Sequence, residues 1–457
     1  MFARGRQSGL LVFWDAVSVI VAVPLAATIR LGAGSDLMRD PVFLLAAGVV
    51  NAVVFLAAFH YSDLYELRTL AQEKVLVARV LRALAVGTAV LAILYYAVPE
   101  LRLGRGILAL TAGLVAAWAY GSRELLKLVS RSGLHERILI LGAGEPAVEV
   151  GREILVRRKL GYDLVGFLDQ TRARVGVSIL NPGIVGSYAD LVDVCKTRRI
   201  DRVLVCVKDR RGAIPFDQLL AARTRGIDVE DGASFSERLT GRIPVRDITP
   251  SWFIFGPGFR QPRLILAAKR TIDVVTSVIG IIATSPVLLL AAIAIKVESP
   301  GPIFFTQERV GRNGKNFRLV KFRSMRADAE AKSGPVWAQK NDSRITRVGN
   351  FIRKTRIDEL PQFWNVLCGD MSLVGPRPER PFFVEQLSRN IPFYDMRHVV
   401  RPGCTGWAQV RWRYGASEED SMQKLQYDLY YIKHLSLRRD LLTMFDTLKV
   451  MVLGEGR

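Results

Sequence analysis

Val274-Val-Thr-Ser-Val-Ile-Gly-Ile-Ile-Ala-Thr-Ser285-Pro286-Val-Leu-Leu-Leu-Ala-Ala-Ile-Ala-Ile295 is the stretch on which the architecture of this chain turns. It carries no charge and is long enough to cross a bilayer, for which roughly 20 apolar residues suffice. Two features favour a segment that dips in and returns. Lys269-Arg270 precede the run and Lys296 follows it, and positive charge on both flanks keeps both ends on the cytoplasmic side. Ser285-Pro286 sit in the middle, where Pro286 removes one amide donor and frees the carbonyl of Ile282. Residues 269–298 are therefore expected to form a re-entrant helix broken at Ser285 and Pro286, with a kinked full span as the alternative. The helix would anchor an α/β-type domain covering 266–457.

Upstream, apolar stretches at Leu10–Ile29, Val42–Phe59, Leu81–Val98 and Ile107–Ala119 predict a four-span helical bundle over residues 1–122, the fourth span being short. Asp15 lies inside the first and needs a partner within the bundle. Arg4 and Arg6 before the first span, Arg79 and Arg82 between the second and third, and Arg123 and Arg137 after the fourth put both bundle termini in the cytoplasm. From Arg137 the texture becomes alternating strand and helix. Arg137-Ile-Leu-Ile-Leu-Gly142-Ala-Gly144-Glu-Pro-Ala147 reads as strand, glycine turn and helix start, followed by strands at Tyr162–Leu168 and Arg202–Val207. A doubly wound, Rossmann-like α/β domain is expected over 135–235, with 236–265 as a linker. Gly142, Gly144 and Ala147 form a candidate nucleotide-binding loop, with Asp169 as a ribose partner. No Tyr-x-x-x-Lys pair accompanies it, so a structural or regulatory domain fits as well as a cofactor site.

The chain has a formal charge of +21 with 50% hydrophobic residues. Disorder is excluded, because it requires low hydrophobicity. Residues 256–457 hold 32 Lys/Arg against 19 Asp/Glu. There is no zinc-finger spacing, aromatic RNA-binding signature or basic heptad helix, so nucleic acid is not the expected partner; membrane lipid and phosphorylated substrates are. The four cysteines are scattered, giving neither a disulfide framework nor a zinc site. Four histidines leave little scope for histidine chemistry and direct attention to carboxylates.

Those carboxylates stand in a basic setting: Lys321-Phe-Arg323, Asn341-Asp342, Arg353-Lys-Thr-Arg356-Ile-Asp358-Glu359-Leu-Pro-Gln362 and Gly375-Pro-Arg377-Pro-Glu-Arg380. Arginines clamp phosphate oxygens in pairs and a lysine adds a point charge. An acid among them can hold Mg²⁺ on a diphosphate or attack phosphorus, and cationic neighbours favour its ionised form. Asp358 and Glu359 are the candidate catalytic and metal-associated residues. Lys321, Arg323, Arg353, Arg377 and Arg380 form the candidate phosphate-binding set. Each piece alone is commonly a surface ion-pair network or a rigid turn.

Taken together, the segment from Lys269 onward resembles the catalytic domain of bacterial polyprenyl-phosphate hexose-1-phosphate transferases, the monotopic phosphoglycosyl transferases. The resemblance rests on Lys269-Arg270, Ser285-Pro286, Lys321-Phe-Arg, Asp358-Glu-Leu-Pro-Gln, Asn365-Val-Leu, Gly369-Asp-Met-Ser372, Gly375-Pro-Arg-Pro, Arg401-Pro-Gly-Cys-Thr-Gly-Trp-Ala-Gln409-Val and Asp428-Leu-Tyr-Tyr431. The spans and α/β domain upstream make it similar to the large members. Asp209-Arg-Arg-Gly212, Pro250–Phe255 and Tyr414-Gly-Ala-Ser417 resemble the exopolysaccharide subgroup that accompanies PEP-CTERM protein sorting. The resemblance implies transfer of a sugar 1-phosphate from a UDP-sugar to undecaprenyl phosphate, in the bacterial inner membrane with the catalytic domain facing the cytoplasm. It further implies Asp358 as nucleophile, Glu359 with Mg²⁺, Lys321, Arg353 and Arg377 on phosphate groups, and room for a homodimer. The sugar is left open. Rival readings are a membrane-bound nucleotide-sugar oxidoreductase or dehydratase centred on Gly142–Ala147, and a non-catalytic scaffold for polysaccharide assembly.

Overall fold

The apolar stretches at the start of the chain fold as four helices, α1 (Phe2–Leu31), α2 (Pro41–Tyr61), α3 (Glu73–Ala97) and α4 (Arg105–Arg131). The computed structural model describes residues 2–32, 34–65, 73–131, 135–158, 161–207, 214–246, 248, 250–256, 258–259, 261–326, 344–412, 415 and 417–453. Asn341, Asp342, Asp209–Gly212, Tyr414 and Ala416 lie outside them. Two compact units divide the chain, Met1–Phe235 and Ser236–Arg457.

The four helices share a core that includes Val19, Val23, Phe55, Phe59, Leu91 and Val115. Their outer faces are also apolar, with Phe13, Leu45, Val53, Leu81 and Ile93 exposed, whereas Asp15, Asn51, Thr111 and Arg123 are buried. Polar groups inside and apolar groups outside is the arrangement of a bundle solvated by lipid. Among the described residues, α1, α2 and α3 are long and apolar enough to cross a membrane, and α4 is not. The apolar run of α4 is followed by Ser122, Arg123, Glu124 and Lys127, and its Val115 and Ala119 lie in the bundle core. Arg123, expected as a cytoplasmic flanking charge, is instead the partner of Asp15. Its Nη1 and Nη2 donate to Asp15 Oδ1 and Oδ2, each at 2.7 Å, with both side chains fully buried.

The same unit continues with β1 (Glu136–Leu141), α5 (Glu145–Val156), β2 (Tyr162–Asp169), β3 (Ile184–Ser187), α6 (Leu191–Thr197), β4 (Arg202–Val205), α7 (Phe216–Thr224) and β5 (Asp228–Asp231). The strands form one parallel sheet in the order β3-β2-β1-β4-β5, the doubly wound pattern expected. Gly142 has φ +120°, and a Cβ there would come within 2.7 Å of the Cys206 carbonyl oxygen. Close approach to the chain leaving β4 therefore accounts for this glycine. Gly144 is the N-cap of α5, Ala147 is buried beneath it, and Asp169 is paired with Arg174 at 2.9 Å. Packing explains much of the loop that the sequence offered as a nucleotide site.

The helix α8 (Gly232–Thr240) leads into the second unit, which continues with α9 (Pro250–Phe255), α10 (Arg263–Glu298), β6 (Phe304–Val310), β7 (Asn316–Phe322), α11 (Arg347–Lys354), α12 (Gln362–Cys368), β8 (Ser372–Val374), α13 (Pro381–Asn390), β9 (Gly403–Thr405), α14 (Trp407–Arg411), α15 (Glu418–Lys433) and α16 (Leu437–Leu453). The expected linker is part of this unit. Ile243 and Val245 are buried, the Ile243 N–H donates to the Gln426 carbonyl at 3.0 Å, and Glu237 pairs with Lys433 and His434, each at 2.6 Å.

The α10 helix runs unbroken for 36 residues through Ser285 and Pro286. The expected break is reduced to a local repair, in which Ser285 Oγ donates at 2.7 Å to the Ile282 carbonyl that Pro286 leaves without its amide. Asp273, Ser277, Ile281, Thr284, Leu288, Ala291 and Ile295 recur at three- and four-residue spacing as a buried or half-buried stripe. Val275, Ile279, Ile282, Leu289 and Ile293 are exposed on the other faces. Both ends of the helix are gripped by the same unit. Near the start, Lys269 donates to the Val374 carbonyl and Asp440, Arg270 to the carbonyls of Val366 and Leu367, and Asp273 accepts from the Leu373 N–H. Near the end, Ala291 and Ile295 pack with Phe322 and Ile352, and the Glu298 carboxylate accepts the Arg347 and Val348 N–H groups.

Candidate active site

The two carboxylates lie on a short 3₁₀ turn, Ile357–Glu359, between α11 and α12. The turn is launched by Arg356 at φ +60°, a left-handed conformation that costs a non-glycine residue on the order of 1 kcal/mol. Asn365 ties this region to β7. Its Oδ1 accepts from the Val320 N–H at 2.9 Å and its Nδ2 donates to the Arg318 carbonyl at 2.8 Å, fixing α12 against the strand that carries Lys321. Gly349 lets α11 approach as closely, since a Cβ there would lie 2.0 Å from the Ser324 carbonyl oxygen.

Asp358 is 8% exposed, and its Oδ1 is buried with no hydrogen-bond partner. Burial, reinforced by the charge of Glu359, pushes its pKa up to about 6, against the opposing pull of Lys321, Arg353 and Arg356. The expected direction is thereby reversed. The cations moderate the effect of desolvation without overcoming it. Glu359 goes the other way: burial would raise it, but Arg377 and Arg356 hold it below the usual carboxylate range. Glu359 Oε1 lies 3.3 Å from Arg377 Nη2 and 3.4 Å from Arg356 Nη1. Lys321, above the Phe305 ring at 5.3 Å, is brought down to about 8 by burial and by Arg309 and Arg377.

Lys321, Arg353 and Arg377 thus converge electrostatically on the carboxylates. Arg323 does not belong with them. It is buried, with Nη1 donating to the Pro300 carbonyl at 2.9 Å and Nη2 to the Ser299 carbonyl at 2.8 Å. Its guanidinium clasps the chain leaving α10 instead of a phosphate. Arg380 is the N-cap residue of α13, three residues beyond Arg377. Gln409 joins the site unforeseen. Its Oε1 accepts from Arg377 Nη1 at 3.2 Å, while its Nε2 is buried without a partner. Nothing in local spacing signals a contact between residues so far apart in the chain.

No group of three His, Cys, Asp or Glu side chains among the described residues could cage a metal ion. Two adjacent carboxylates, one with an unpartnered oxygen, suit a cation such as Mg²⁺, which keeps waters and takes one or two protein carboxylates together with substrate phosphates. Two carboxylates beside Lys321, Arg353, Arg356 and Arg377 make a charged arrangement chemically suited to phosphate oxygens.

The bacterial sugar transferase family matches residues 264–454, and a CoA-binding domain family matches residues 60–214. Over 260 residues the chain is 45% identical to the UDP-N-acetylgalactosamine-undecaprenyl-phosphate N-acetylgalactosaminephosphotransferase of Aeromonas hydrophila, covering 56% of this chain and 60% of that protein. It is 33% identical over 334 residues to the UDP-glucose:undecaprenyl-phosphate glucose-1-phosphate transferase of Xanthomonas campestris pv. campestris, covering 70% and 67%. The protein of the same name from Caulobacter vibrioides is 45% identical over 205 residues, covering 44% and 76%. The chain belongs to the bacterial sugar transferases. It spans 60% of the length of the Aeromonas relative and about two thirds of the Xanthomonas one.

Proposed function

We propose that this protein transfers a sugar 1-phosphate from a UDP-sugar to undecaprenyl phosphate, yielding undecaprenyl-diphosphate-sugar and UMP, as the initiating step of exopolysaccharide, capsule or O-antigen synthesis. The observation that carries this is Asp358, buried among Lys321, Arg353 and Arg356 with one unpartnered carboxylate oxygen. In the first step an Asp358 oxygen bonds to the sugar-bearing phosphorus as the bond from that phosphorus to the bridging oxygen of the diphosphate breaks, and UMP leaves with the electron pair. In the second, a phosphate oxygen of the lipid attacks the same phosphorus and Asp358 departs as carboxylate. Dividing the transfer lets a soluble donor and a lipid acceptor use one pocket in turn. Lys321, Arg353 and Arg377 would hold the phosphate oxygens through charge-assisted hydrogen bonds. Glu359 and Asp358 would hold Mg²⁺, which would neutralise charge on the diphosphate.

The membrane reading follows from α10. An unbroken helix whose start and end are both held by one folded unit is best accommodated with both ends at the cytoplasmic face of the inner membrane and its exposed apolar faces in lipid. Single cysteines near Arg263 and near Lys315, in an otherwise cysteine-free chain, are expected to react with a membrane-impermeant reagent from the same side. Reaction from opposite sides would exclude this one-sided arrangement.

The relatives' names carry different sugars, so the donor is an experimental matter. Release of UMP by the full chain from a panel of UDP-hexoses and UDP-N-acetylhexosamines, with undecaprenyl phosphate present, is expected for at least one donor. Absence of release from every donor, by folded protein with Mg²⁺, would defeat the proposal.

A further inference from the structure

Arg377 reaches Glu359 from the Gly375-Pro-Arg-Pro-Glu379 loop, and two prolines deprive this loop of amide donors. Apart from the Gly375 N–H, which donates to the Thr405 carbonyl at 2.9 Å, the contacts that hold it are made to its carbonyls. The Val374 carbonyl accepts from Lys269 Nζ at 2.9 Å and Tyr431 OH at 3.2 Å. Pro376 accepts from the Gly403 N–H at 2.9 Å, and Glu379 from the Val310 N–H at 2.9 Å. The two remaining clamps are arginine side chains. Arg309 Nη1 donates to the Pro378 carbonyl at 3.0 Å, and Arg397 Nη2 to the carbonyl of Arg377 itself at 3.0 Å.

Arg397 is built in for this contact. It is 5% exposed, and the same Nη2 donates to Asp428 Oδ2 at 2.9 Å, while Nη1 donates to the Tyr394 hydroxyl at 2.6 Å. Asp428 is 1% exposed and lies on α15, far from the carboxylates in sequence. A buried ion pair is no bargain in stability compared with apolar packing. One that ends on the backbone of a substrate-facing arginine has a reason to exist. We propose that Arg397, held by Asp428, is a positioning residue that fixes Arg377 against Glu359 by clamping the Arg377 carbonyl. Supporting groups of this kind typically contribute about 10–100-fold to activity.

The activity arm of the test rests on the transferase reading; a second arm does not. In the full chain, Asp428→Asn and Arg397→Lys are expected to lower kcat/KM for UMP release by about 10-fold or more. In an Arg377→Ala background the same changes should cost less than about 3-fold, because the residue they position is gone. A purely structural role would give equal losses in both backgrounds, and that additivity would overturn the proposal. The second arm is amide hydrogen exchange. Asp428→Asn should speed exchange at Gly375, Gly403 and Val310, whose N–H groups bond to or from the loop, while the other amides of β6 and β7 keep wild-type protection. Unchanged exchange in the loop would also overturn the positioning role. If wild-type protein turned over no UDP-sugar, the transferase reading would fail, and the exchange arm would still decide this one.

Discussion

Asp358→Asn is expected to lose more than about 1,000-fold in overall transfer and to lose the exchange of labelled UMP into UDP-sugar in the absence of lipid. Wild-type protein should catalyse that exchange, since the first step is reversible and needs no acceptor. The loss should not come from unfolding. The Asp358 pKa lies at about 6, raised from the ordinary 3.8. A raised acid binds its proton more tightly when folded, so its contribution to stability is full below about pH 4 and is lost as pH climbs through about 6. Above that, the buried charge is a cost, at most on the order of 3 kcal/mol. Asparagine removes it, and the variant should melt at or above the wild-type temperature at pH 7.5. The same ionisation shapes the rate. kcat/KM should rise through about pH 6 as Asp358 loses its proton, and fall above about pH 8 as Lys321 loses its own. An Asp358→Asn protein that still exchanges UMP would remove this aspartate as nucleophile. Wild type that never exchanges without acceptor would favour direct attack by the lipid.

The carboxylate pair was legible because Asp358 and Glu359 are adjacent in sequence and set among arginines. Their ionisation was not, because the sign depends on desolvation. Counting neighbouring cations captures their attraction and omits the cost of burial, which is the larger effect at Asp358. Arg323 shows a related limit. Two residues from Lys321, it falls on that side chain's face by strand alternation, but its guanidinium is taken up by the Ser299 and Pro300 carbonyls, which the fold alone brings to it. The doubly wound sheet followed from the strand and helix alternation, and Gly142 was rightly noticed, yet for a reason that lies in the neighbouring chain at Cys206. Pro286 suggests a break because its missing amide is a certainty of its chemistry. What the hydroxyl of Ser285 does for the Ile282 carbonyl depends on a rotamer. Gln409 and Arg397 were illegible for a simpler reason, that their partners are brought to them only by the fold.

Asp15 is too costly to stand alone within a span, and its partner lies 108 residues away. The pair is bidentate at 2.7 Å, Trp118 Nε1 adds a third hydrogen bond to Asp15 Oδ1 at 3.1 Å, and the Arg123 guanidinium lies 5.6 Å from the rings of Phe59 and Tyr65. Both charges are thus fully desolvated, and each is tolerable only while the other is present. Breaking such a pair from one side costs about 3–5 kcal/mol, whereas replacing both partners with apolar side chains of similar volume is often neutral or stabilising. Arg123→Met alone should therefore lower the melting temperature of the detergent-solubilised full chain sharply. The double variant Asp15→Leu, Arg123→Met should recover most of the loss. That asymmetry separates a buried pair from two independent packing defects, whose effects would add. If the double variant is less stable than Arg123→Met, the two residues contribute to the bundle separately, and joining α1 to α4 through this ion pair is the wrong account of why a charge sits in each.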